Sequence, residues 1–599
     1  MKKACIISGF FLFSFCLLQC KNKSKLPPEQ LVKDYFIAGI DSMDKSARYF
    51  KSLVTAPPYD SSKISEAFIA LRNKYKTTEL FAAYYTPETA KSLNGPPIES
   101  VDENDPHITE QPEGLQVIEA LICDKESDKS ELIRQTDILI GSLGRLKTLT
   151  QQQQFANPQI FDAIRDELFR TTSLGLSGFD APLVQSSIME VRTVYQSIDS
   201  VLSFYQNKDA ASIIAYTRQT LQRAADYLLT NNNFITFNRL EFIQQFANPI
   251  SGSLLTCAAE LKVQLPGNNR PLKTTAKSLF DYAAYDADYY TAFSTHQSSP
   301  SKISLGQQLF YDPILSKNGS RSCASCHQPD KAFTDGVKTN STFDRSNSLL
   351  RNTPTLVYAG LQPALFYDNR VKYLEDQARD VISNKDEMHG SLAEAAKTLS
   401  ANAQYAAQFN TAFAVEATPV NATNILNALA SYIRSLRPFS SAFDKYMLGD
   451  STKLNADQVK GFNLYMGKAK CGSCHFMPLF NGAIPPEFRE IETEVLGVPV
   501  HPNSKTIDGD LGKYNLRKTD LYKYAFKIPT LRNIALTAPY MHNGAYSTLE
   551  QVMDFYNKGG GAGQGVQIDN QSLAPDPLNL TPEEIKQVIA FMKALTDEK

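Results

Sequence analysis

The stretch Cys323-Ala-Ser-Cys-His327 decides how this chain is interpreted, and a second copy, Cys471-Gly-Ser-Cys-His475, follows it. In a Cys-x-x-Cys-His sequence the two thiols can form thioether bonds to haem vinyl groups, and the adjacent imidazole can ligate the iron. The alternatives are a zinc site, which requires further ligands close by, and a redox dithiol, which does not require the histidine. The two motifs therefore predict two covalently bound haem c groups, with His327 and His475 as iron ligands. The predicted thioether residues are Cys323, Cys326, Cys471 and Cys474.

Size and composition place the chain among large globular proteins. Its 599 residues are too many for one hydrophobic core and predict two to four domains. A hydrophobic fraction of 42% with 21% charged residues is ordinary globular composition. The formal net charge of −2 gives no general attraction to nucleic acid or acidic membranes, so we expect no nucleic-acid partner.

Residues 1–20 have the pattern of a targeting segment, with two basic residues, an apolar stretch from Ile6 to Leu18, and Cys20 at the end. Leu17-Leu-Gln-Cys20 resembles a bacterial lipoprotein signal, in which the cysteine becomes the lipidated first residue. Gln19 stands where a small residue is usual, which leaves plain secretion as the alternative. Since either route leaves the cytoplasm, we expect a periplasmic protein whose membrane contact is a lipid anchor at Cys20, in the outer membrane. After residue 20 no apolar run is long enough to cross a bilayer.

Two cysteines, Cys123 and Cys257, belong to neither the targeting segment nor the haem motifs. In an oxidising compartment they can pair as a disulfide, and free thiols are the alternative.

Residues 26–295 contain no metal-type motif and show helical periodicity. Apolar residues recur at intervals of three and four, as at 132–140 and 161–168. Clusters of Pro, Gly and Asp at 94–114 and 265–271 interrupt the pattern. We predict an α-helical bundle of six or more helices.

Two features of the bundle segment admit more than one interpretation. Gly114-Leu-Gln-Val-Ile-Glu119 faintly resembles the Gly-x-His-x-x-Glu element of the imelysin family, but Gln116 in the histidine position removes the argument for a metal ligand. A helix with core residues at 115, 118 and 122 is the plainer interpretation. The repeated Gln-Gln-Phe-Ala-Asn-Pro at 153–158 and 244–249 suggests duplicated helix ends before a proline, or coincidence.

The polar stretch at 296–301 is typical of a linker. Helices are predicted at 305–311, before the first haem motif, and at 455–466, before the second. Thr581-Pro-Glu-Glu584 combines an N-cap, a first-turn proline and a capping-box glutamate, and predicts a last helix through Leu595.

The predicted fold class is mainly α, with an N-terminal α-helical bundle followed by two cytochrome c-like haem domains. The predicted ranges are 26–295 for the bundle, 302–440 for the first haem domain and 441–599 for the second.

The C-terminal half also carries five motifs in a fixed order: Arg351-Asn-Thr-Pro-Thr-Leu356, Leu374-Glu-Asp-Gln377, Glu387-Met388, Pro529-Thr-Leu-Arg-Asn533 and Pro539-Tyr-Met-His542. Together with the haem motifs they resemble the bacterial di-haem cytochrome c peroxidases and their relative MauG. The resemblance covers about Ile303 to Leu595 and does not extend to the bundle segment.

The resemblance implies an active site at the first haem. A peroxidase needs one iron with an open face, an acid/base for the proton and a second redox centre. In the family a Gln and a Glu ten residues apart stand over the active haem, and Gln377 and Glu387 match that spacing. Glu387 is then the proton shuttle and Gln377 orients peroxide or water, with two exposed loop residues as the alternative. Many members carry a distal His that must leave before turnover. Because Phe343 stands at that place, we expect an open haem that needs no reductive activation.

The resemblance also implies a residue between the haems and a bound calcium ion. The family's Phe-Trp-Asp-Gly-Arg is Phe366-Tyr-Asp-Asn-Arg370 here, so Tyr367 is the expected electron relay, and its phenol must lose a proton when oxidised. Asn352, Thr537 and Pro539 match calcium ligands, the last two through carbonyl oxygens, which suits a hard cation.

The ligand opposite His475 has three candidates. In the peroxidases a Met lies fourteen residues beyond the His of Pro-Tyr-x-His, and that position is Tyr556 here, as in the MauG branch. Met541 and Met553 are the alternatives, with Tyr556 then a packed aromatic residue.

We therefore expect a di-haem c-type peroxidase that reduces hydrogen peroxide at the His327 haem with electrons arriving through the His475 haem. The donor would be a small redox protein or a quinol-linked carrier. The alternatives are MauG-like oxidation of a protein or organic substrate and a pure electron-transfer cytochrome, against which Gln377 and Glu387 argue.

Overall fold

The computed structural model describes residues 26–101, 108–124, 126, 128–267 and 270–598. The predicted signal segment and Cys20 lie outside the described residues. Among the described residues no helix combines the length and the apolar character needed to cross a membrane.

Helices fill the N-terminal part, as the apolar periodicity predicts. In the first of them the residues that recur every third or fourth position from Val32 to Val54 are buried. This helix packs against the second and fifth, and the seventh packs against the second and eighth. The described α-helices are Pro28–Thr55 (α1), Ser61–Tyr85 (α2), Pro87–Asn94 (α3), Leu115–Cys123 (α4), Lys129–Gln152 (α5), Asn157–Ser173 (α6), Ser187–Ser203 (α7), Ala211–Thr230 (α8), Arg239–Phe242 (α9) and Asn248–Glu260 (α10). A π-helical turn, Ile243–Ala247, joins the last two.

The two copies of the repeated hexapeptide lie in different structures. The first copy follows the end of α5 at Gln152 and leads into α6, which begins at Asn157 with its proline in the first turn, where the N–H groups have no intrahelical partner in any case. The second copy lies inside a continuous helical run, across the π-helical turn and the start of α10. The interpretation as a helix end before a proline therefore fits the first copy and not the second.

The C-terminal half alternates short helices with long loops. Its α-helices are Pro300–Tyr311 (α11), Leu374–Ser383 (α12), Leu392–Ala401 (α13), Ala403–Ala412 (α14), Ala422–Ser435 (α15), Ala442–Met447 (α16), Ala456–Met466 (α17), Tyr514–Arg517 (α18), Leu549–Asn557 (α19), Gly560–Gly563 (α20) and Pro582–Lys593 (α21). Strand β1, Ser100–Val101, pairs antiparallel with β2, Thr109–Glu110, and β3, Thr493–Val495, pairs antiparallel with β4, Ala525–Lys527. The prediction of a mainly α fold is confirmed.

Each haem motif follows a helix that crosses a partner at close range through a glycine. A Cβ on Gly306 of α11 would lie 1.9 Å from the Ala428 carbonyl oxygen of α15. A Cβ on Gly461 of α17 would lie 1.9 Å from the Gln587 carbonyl oxygen of α21. The helix before each haem motif therefore lies against its partner helix at a distance that only a glycine permits.

The predicted helices are present with small differences at their ends. α11 begins at Pro300 with Ser299 as its N-cap, so the last two residues of the predicted linker belong to the helix. α17 has the expected N-cap, Asn455. α21 has the predicted capping box of Thr581 and Glu584 but ends at Lys593, two residues early.

The bundle and the second haem region share one hydrophobic core, whereas α11 to α15 surround a separate core. Tyr282 stacks on Phe439 with ring centroids 4.4 Å apart, and Phe280 packs edge-on against Phe443 at 6.0 Å. The exact division at 295 and 440 stays a prediction, but the bundle is joined to the second haem region by packing as well as by the chain. Cys123 is exposed and Cys257 is buried in α10, and both are free thiols.

Candidate functional site

The first haem motif forms a single tight turn, Cys323–Ser325, capped by Ser322. The backbone N–H of His327 donates to the Cys323 carbonyl at 2.9 Å, which folds the imidazole back beside the two thiols. The Nδ1 of His327 lies 3.0 Å from the Phe333 carbonyl oxygen.

The second motif repeats this arrangement at Cys471–Ser473. The N–H of His475 donates to the Cys471 carbonyl at 2.9 Å. The Nδ1 of His475 lies 3.0 Å from the Pro529 carbonyl and 3.2 Å from that of Phe480. Tyr465 donates its hydroxyl to the His475 carbonyl at 2.7 Å.

These environments fit haem c at both motifs. A carbonyl facing Nδ1 holds the proton on that nitrogen and leaves the Nε2 lone pair for iron. Burial lowers the pKa of both imidazoles, that of His475 to about 4, so each ring is neutral as ligation requires. Burial also raises the pKa of the cysteine thiols, that of Cys326 to about 11.

A cavity of about 870 Å³ lies beside the second motif. Cys471, Cys474 and His475 line it together with Tyr556, which α19 carries on its last turn behind a capping box of Thr548 and Gln551. The alternative ligands Met541 and Met553 line the same cavity. All three candidates for the position opposite His475 are thus brought to one site, and burial raises the pKa of the Tyr556 phenol.

The same cavity continues toward the first haem motif, where Tyr367 and Gln377 line it. Burial raises the pKa of the Tyr367 phenol. Asn369, which stands where the family has glycine, adopts φ 57°, a left-handed conformation that asparagine tolerates.

Lys527 is a cavity residue that the sequence did not single out. Its backbone N–H donates to the Tyr367 carbonyl at 2.6 Å, and its Nζ donates to Gln362 Oε1 at 2.6 Å. Burial lowers the pKa of Lys527 to about 7. Its only sequence signal is that it lies two residues before the Pro529 motif, which says nothing of its contact with Tyr367.

A second cavity of about 240 Å³ contains the Glu387 carboxylate. Glu387 lies in the turn after α12 and accepts a hydrogen bond from Asn384 Nδ2 at 3.2 Å. Burial raises the pKa of the Glu387 carboxyl. Phe366 lines both cavities, so Gln377 and Glu387 are placed on two pockets that share one aromatic wall.

Arg321, two residues before the first motif, ties the loop of Phe343 to that of Glu387. Its guanidinium donates to the Glu387 carbonyl at 3.1 Å and to the Thr342 carbonyl at 2.6 Å. The N–H of Phe343 donates to the Asp386 carbonyl at 2.7 Å, and its ring packs edge-on against His389. The sequence did not indicate His389, although it stands only two residues beyond Glu387.

The predicted calcium ligands Asn352, Thr537 and Pro539 all line the larger cavity. Asn352 Nδ2 donates to the carbonyls of Val337, at 2.9 Å, and Lys338, at 3.2 Å, which leaves its Oδ1 for another partner. In the part of the chain that the structure describes, no three His, Cys, Asp or Glu side chains are grouped to hold a metal ion. The predicted set differs in kind, because it uses amide and carbonyl oxygens, which fit a hard cation.

Comparison with known proteins gives consistent matches in the C-terminal half. The family model described as di-haem cytochrome c peroxidase matches residues 300–452. The methylamine utilization protein MauG of Methylorubrum extorquens is 34% identical over 300 residues, which is 50% of this chain and 79% of that protein. The cytochrome c551 peroxidase of Nitrosomonas europaea is 30% identical over 295 residues, or 49% of this chain and 80% of the relative.

Among solved structures, a MauG-like protein associated with microbial copper homeostasis is 30% identical, with a TM-score of 0.45, over 51% of this chain and 91% of that protein. With four fifths of the length of its curated relatives matched at this identity, the chain belongs, through its C-terminal half, to the di-haem cytochrome c peroxidase family of oxidoreductases, which includes MauG.

Proposed function

We propose that the protein reduces hydrogen peroxide at the His327 haem, with electrons delivered through the His475 haem. The observation that carries the proposal is the half-buried carboxyl of Glu387, which lines a cavity. Arg321, two residues before the first haem motif, donates to the backbone carbonyl of Glu387 and so ties the segment that carries this carboxyl to the motif.

A haem held by Cys323, Cys326 and His327 would supply the site at which peroxide binds and the electrons that break its O–O bond. The protein must move a proton from one peroxide oxygen to the other. A carboxyl with a raised pKa, partly shielded from water, is suited to accept and return that proton near neutral pH. Gln377 has an amide that can donate to one oxygen and accept from water, so it is suited to orient the bound molecule.

Tyr367 supports an electron path between the two haems. It lines the cavity that also contains His475, while its neighbour Phe366 lines the Glu387 cavity as well. Because a buried tyrosine holds its proton firmly, electron transfer through Tyr367 would be coupled to proton movement. Lys527, whose backbone contacts the Tyr367 carbonyl, fixes this segment.

The proposal includes two further features that rest on sequence and on the oxygen donors described above. Calcium would be held by Asn352, Thr537 and Pro539 between the haem regions. The protein would act in the periplasm on a lipid anchor at Cys20, with a small redox protein or quinol-linked carrier as its electron donor.

Oxidation of a protein or an organic molecule at the expense of peroxide is the second candidate function. It is favoured by Tyr556, which stands where the peroxidases have methionine and which lines the His475 cavity. A pure electron-transfer role gives no reason for a carboxyl in a pocket of its own.

Steady-state kinetics with the holoprotein tests the proposal. Peroxide consumption should require a reduced donor. It should be much slower in Glu387→Gln and unchanged in Glu394→Gln, which alters an exposed carboxylate on α13. Peroxide consumption that needs an organic substrate and no reduced donor would select the second candidate. Absence of turnover with every donor, in a protein that carries both haems, would reject both.

A further inference from the structure

The N-terminal bundle contributes a wall to the cavity of the second haem motif. The loop between α6 and α7 places Phe179, Pro182 and Leu183 on this cavity, which also contains His475. The ring of Phe179 packs edge-on against Phe476, the residue after His475, with centroids 5.8 Å apart. Phe179, which precedes Phe476 by 297 residues in the sequence, therefore reaches the immediate surroundings of the second haem ligand.

Buried charges hold this loop at its first end. Asp180 is 1% exposed and its carboxylate accepts hydrogen bonds from Lys76 at 2.8 Å, Arg170 at 2.7 Å and Asn94 at 3.1 Å. Its backbone carbonyl accepts from Arg72 at 2.5 Å. Moving Asp180 out of this network would leave the buried charges of Lys76 and Arg170 without their partner, which is energetically costly. The position of Asp180, and with it that of the neighbouring Phe179, is therefore strongly fixed.

A second buried carboxyl holds the other end. Glu119 of α4 is fully buried and its Oε1 accepts from the backbone N–H groups of Leu183, at 3.0 Å, and Val184, at 2.7 Å. At Gly178 the backbone is left-handed, with φ 80°, and a Cβ would lie 2.7 Å from the Phe234 ring. The conformation of the loop is thus determined by hydrogen bonds to residues of the bundle.

The bundle is also joined to the helix that precedes the second motif. Asn463 on α17 accepts from the N–H of Arg239 at 2.8 Å and donates to Asn238 Oδ1 at 2.9 Å. The buried Arg239 guanidinium donates to the carbonyls of Leu176 and Phe234, both at 2.7 Å. The loop, Phe234 and α17 therefore form one connected structure.

We infer that the N-terminal bundle is a fixed wall of the second haem pocket, in which Phe179 lines the cavity beside His475 and Glu119 positions the loop that carries Phe179. This inference rests on the proposed haem at His475 but not on peroxide reduction. An apolar wall keeps water from the haem, and since ferric haem carries more positive charge than ferrous haem, exclusion of water favours the reduced state and raises the reduction potential.

Equilibrium redox titration of the full holoprotein, followed by its visible spectrum and without peroxide, tests the inference. Phe179→Ala should lower the potential of one haem and leave the other unchanged, and the milder Phe179→Leu should lower it less. Repeating the titration of Phe179→Ala in the His327→Gly background identifies the haem whose potential shifts. Phe293→Ala, which removes an aromatic ring that is 64% exposed and outside the cavity, should change neither potential.

Two variants of Glu119 separate positioning from general destabilisation. Glu119→Gln keeps an oxygen acceptor for the two loop amides and should keep the wild-type potential. Glu119→Ala removes the acceptor and should shift the potential in the same direction as Phe179→Ala.

Unchanged potentials in whichever Phe179 variants fold would overturn the inference, as would a shift of the His327 haem alone. A shifted potential in a protein that never turns over peroxide would uphold the wall and reject the proposed function. Peroxide turnover in a protein whose potentials do not change on replacement of Phe179 would support the proposed function and reject the wall.

Discussion

The rings of Phe343 and His389 pack edge to face with centroids 5.7 Å apart, so an aromatic contact holds the Phe343 side chain. The resemblance to the di-haem peroxidases implies that Phe343 stands where many members have a distal histidine. The phenyl ring has no lone pair for iron. We therefore expect the as-isolated ferric protein to show a high-spin signal by electron paramagnetic resonance and to turn over peroxide without prior reduction. Phe343→His should convert that signal to low spin and impose a need for reduction, while Phe343→Leu should keep the wild-type behaviour. A wild-type protein with two low-spin haems would contradict this prediction.

Replacement of Glu387 by glutamine should slow peroxide turnover without loss of haem. The amide keeps the shape of the side chain but has no titratable proton, and general acid/base catalysis typically contributes on the order of 10²–10⁴-fold in rate. A decrease on that scale in kcat, with both haems still attached, is the expected result. Glu394→Gln serves as the control, and a wild-type rate in Glu387→Gln would remove Glu387 from the mechanism.

The pH profile provides an independent check on Glu387. Burial raises the pKa of its carboxyl, and the carboxylate form is needed to accept the first proton. Turnover should therefore rise with pH through a midpoint above about 4.3, the value of an ordinary glutamate. This acidic limb should be missing in Glu387→Gln. If the variant keeps the limb, another group titrates there.

The two proximal histidines should fail in different ways. His327→Gly should abolish peroxide chemistry because the open haem loses its protein ligand. His475→Gly should leave peroxide binding intact and stop steady-state turnover, since electrons no longer reach the active site. If His475→Gly instead removes the high-spin signal, the assignment of the two haems is reversed.

Local signals allowed much of the fold to be predicted from sequence. The haem motifs, the capping box of Thr581 and Glu584, and the N-cap at Asn455 each lie within a few residues of what they specify. The hexapeptide repeat shows the limit of local signals, since one copy separates two helices and the other lies inside a continuous helical run.

The parts that sequence did not predict depend on contacts across long separations. Lys527 meets Tyr367 only when β4 folds against the first haem region, and Phe179 meets Phe476 only when the bundle packs on the second. Neither contact leaves a local sequence pattern from which it could be predicted. His389 was missed for a different reason, since the expectation for a distal histidine was tied to the Phe343 position.

The ion pair of Arg532 and Asp444 should contribute strongly to stability. Both residues are fully buried, and the guanidinium donates to the two carboxylate oxygens at 2.8 and 2.9 Å. Asp444→Asn should lower the free energy of unfolding by about 3–5 kcal/mol, measured by denaturant unfolding. Asp554→Asn, which breaks an exposed pair with Lys558, should cost no more than about 1 kcal/mol. Equal costs for the two variants would contradict the prediction.

The ion pair of Arg532 and Asp444 should also make the free energy of unfolding depend on pH. Burial alone would raise the pKa of Asp444, but the charge and hydrogen bonds of Arg532 outweigh it and the pKa is lowered. Its stabilisation is therefore present above the unfolded value of about 3.9 and is lost as the pH falls below it. The difference in stability between wild type and Asp444→Asn should shrink over that range.

The identity of the ligand opposite His475 is a prediction that rests on the resemblance to MauG and on the residues that line the cavity. Tyr556, Met541 and Met553 all line the cavity, and Met553 lies three residues before Tyr556, on the same face of α19. Burial raises the pKa of the Tyr556 phenol, but a ferric ion bound to the phenol oxygen would reverse that tendency and favour the anionic form. We therefore expect tyrosinate ligation, which lowers the potential and stabilises oxidised iron, whereas methionine raises it.

Spectroscopy separates the two cases, because methionine ligation of low-spin ferric haem gives a weak absorption band at the red end of the visible spectrum and tyrosinate does not. The wild-type protein should lack this band, and Met541→Leu and Met553→Leu should leave its low-spin spectrum unchanged. Tyr556→Phe removes the oxygen ligand, so it should change the low-spin spectrum and raise the potential of the His475 haem. Because Met553 stands on the same helix face, the variant can also gain the methionine band, which Tyr556→Phe combined with Met553→Leu should then abolish. A methionine band in the wild-type protein would show that sulfur holds the iron and would align this chain with the methionine-ligated peroxidases.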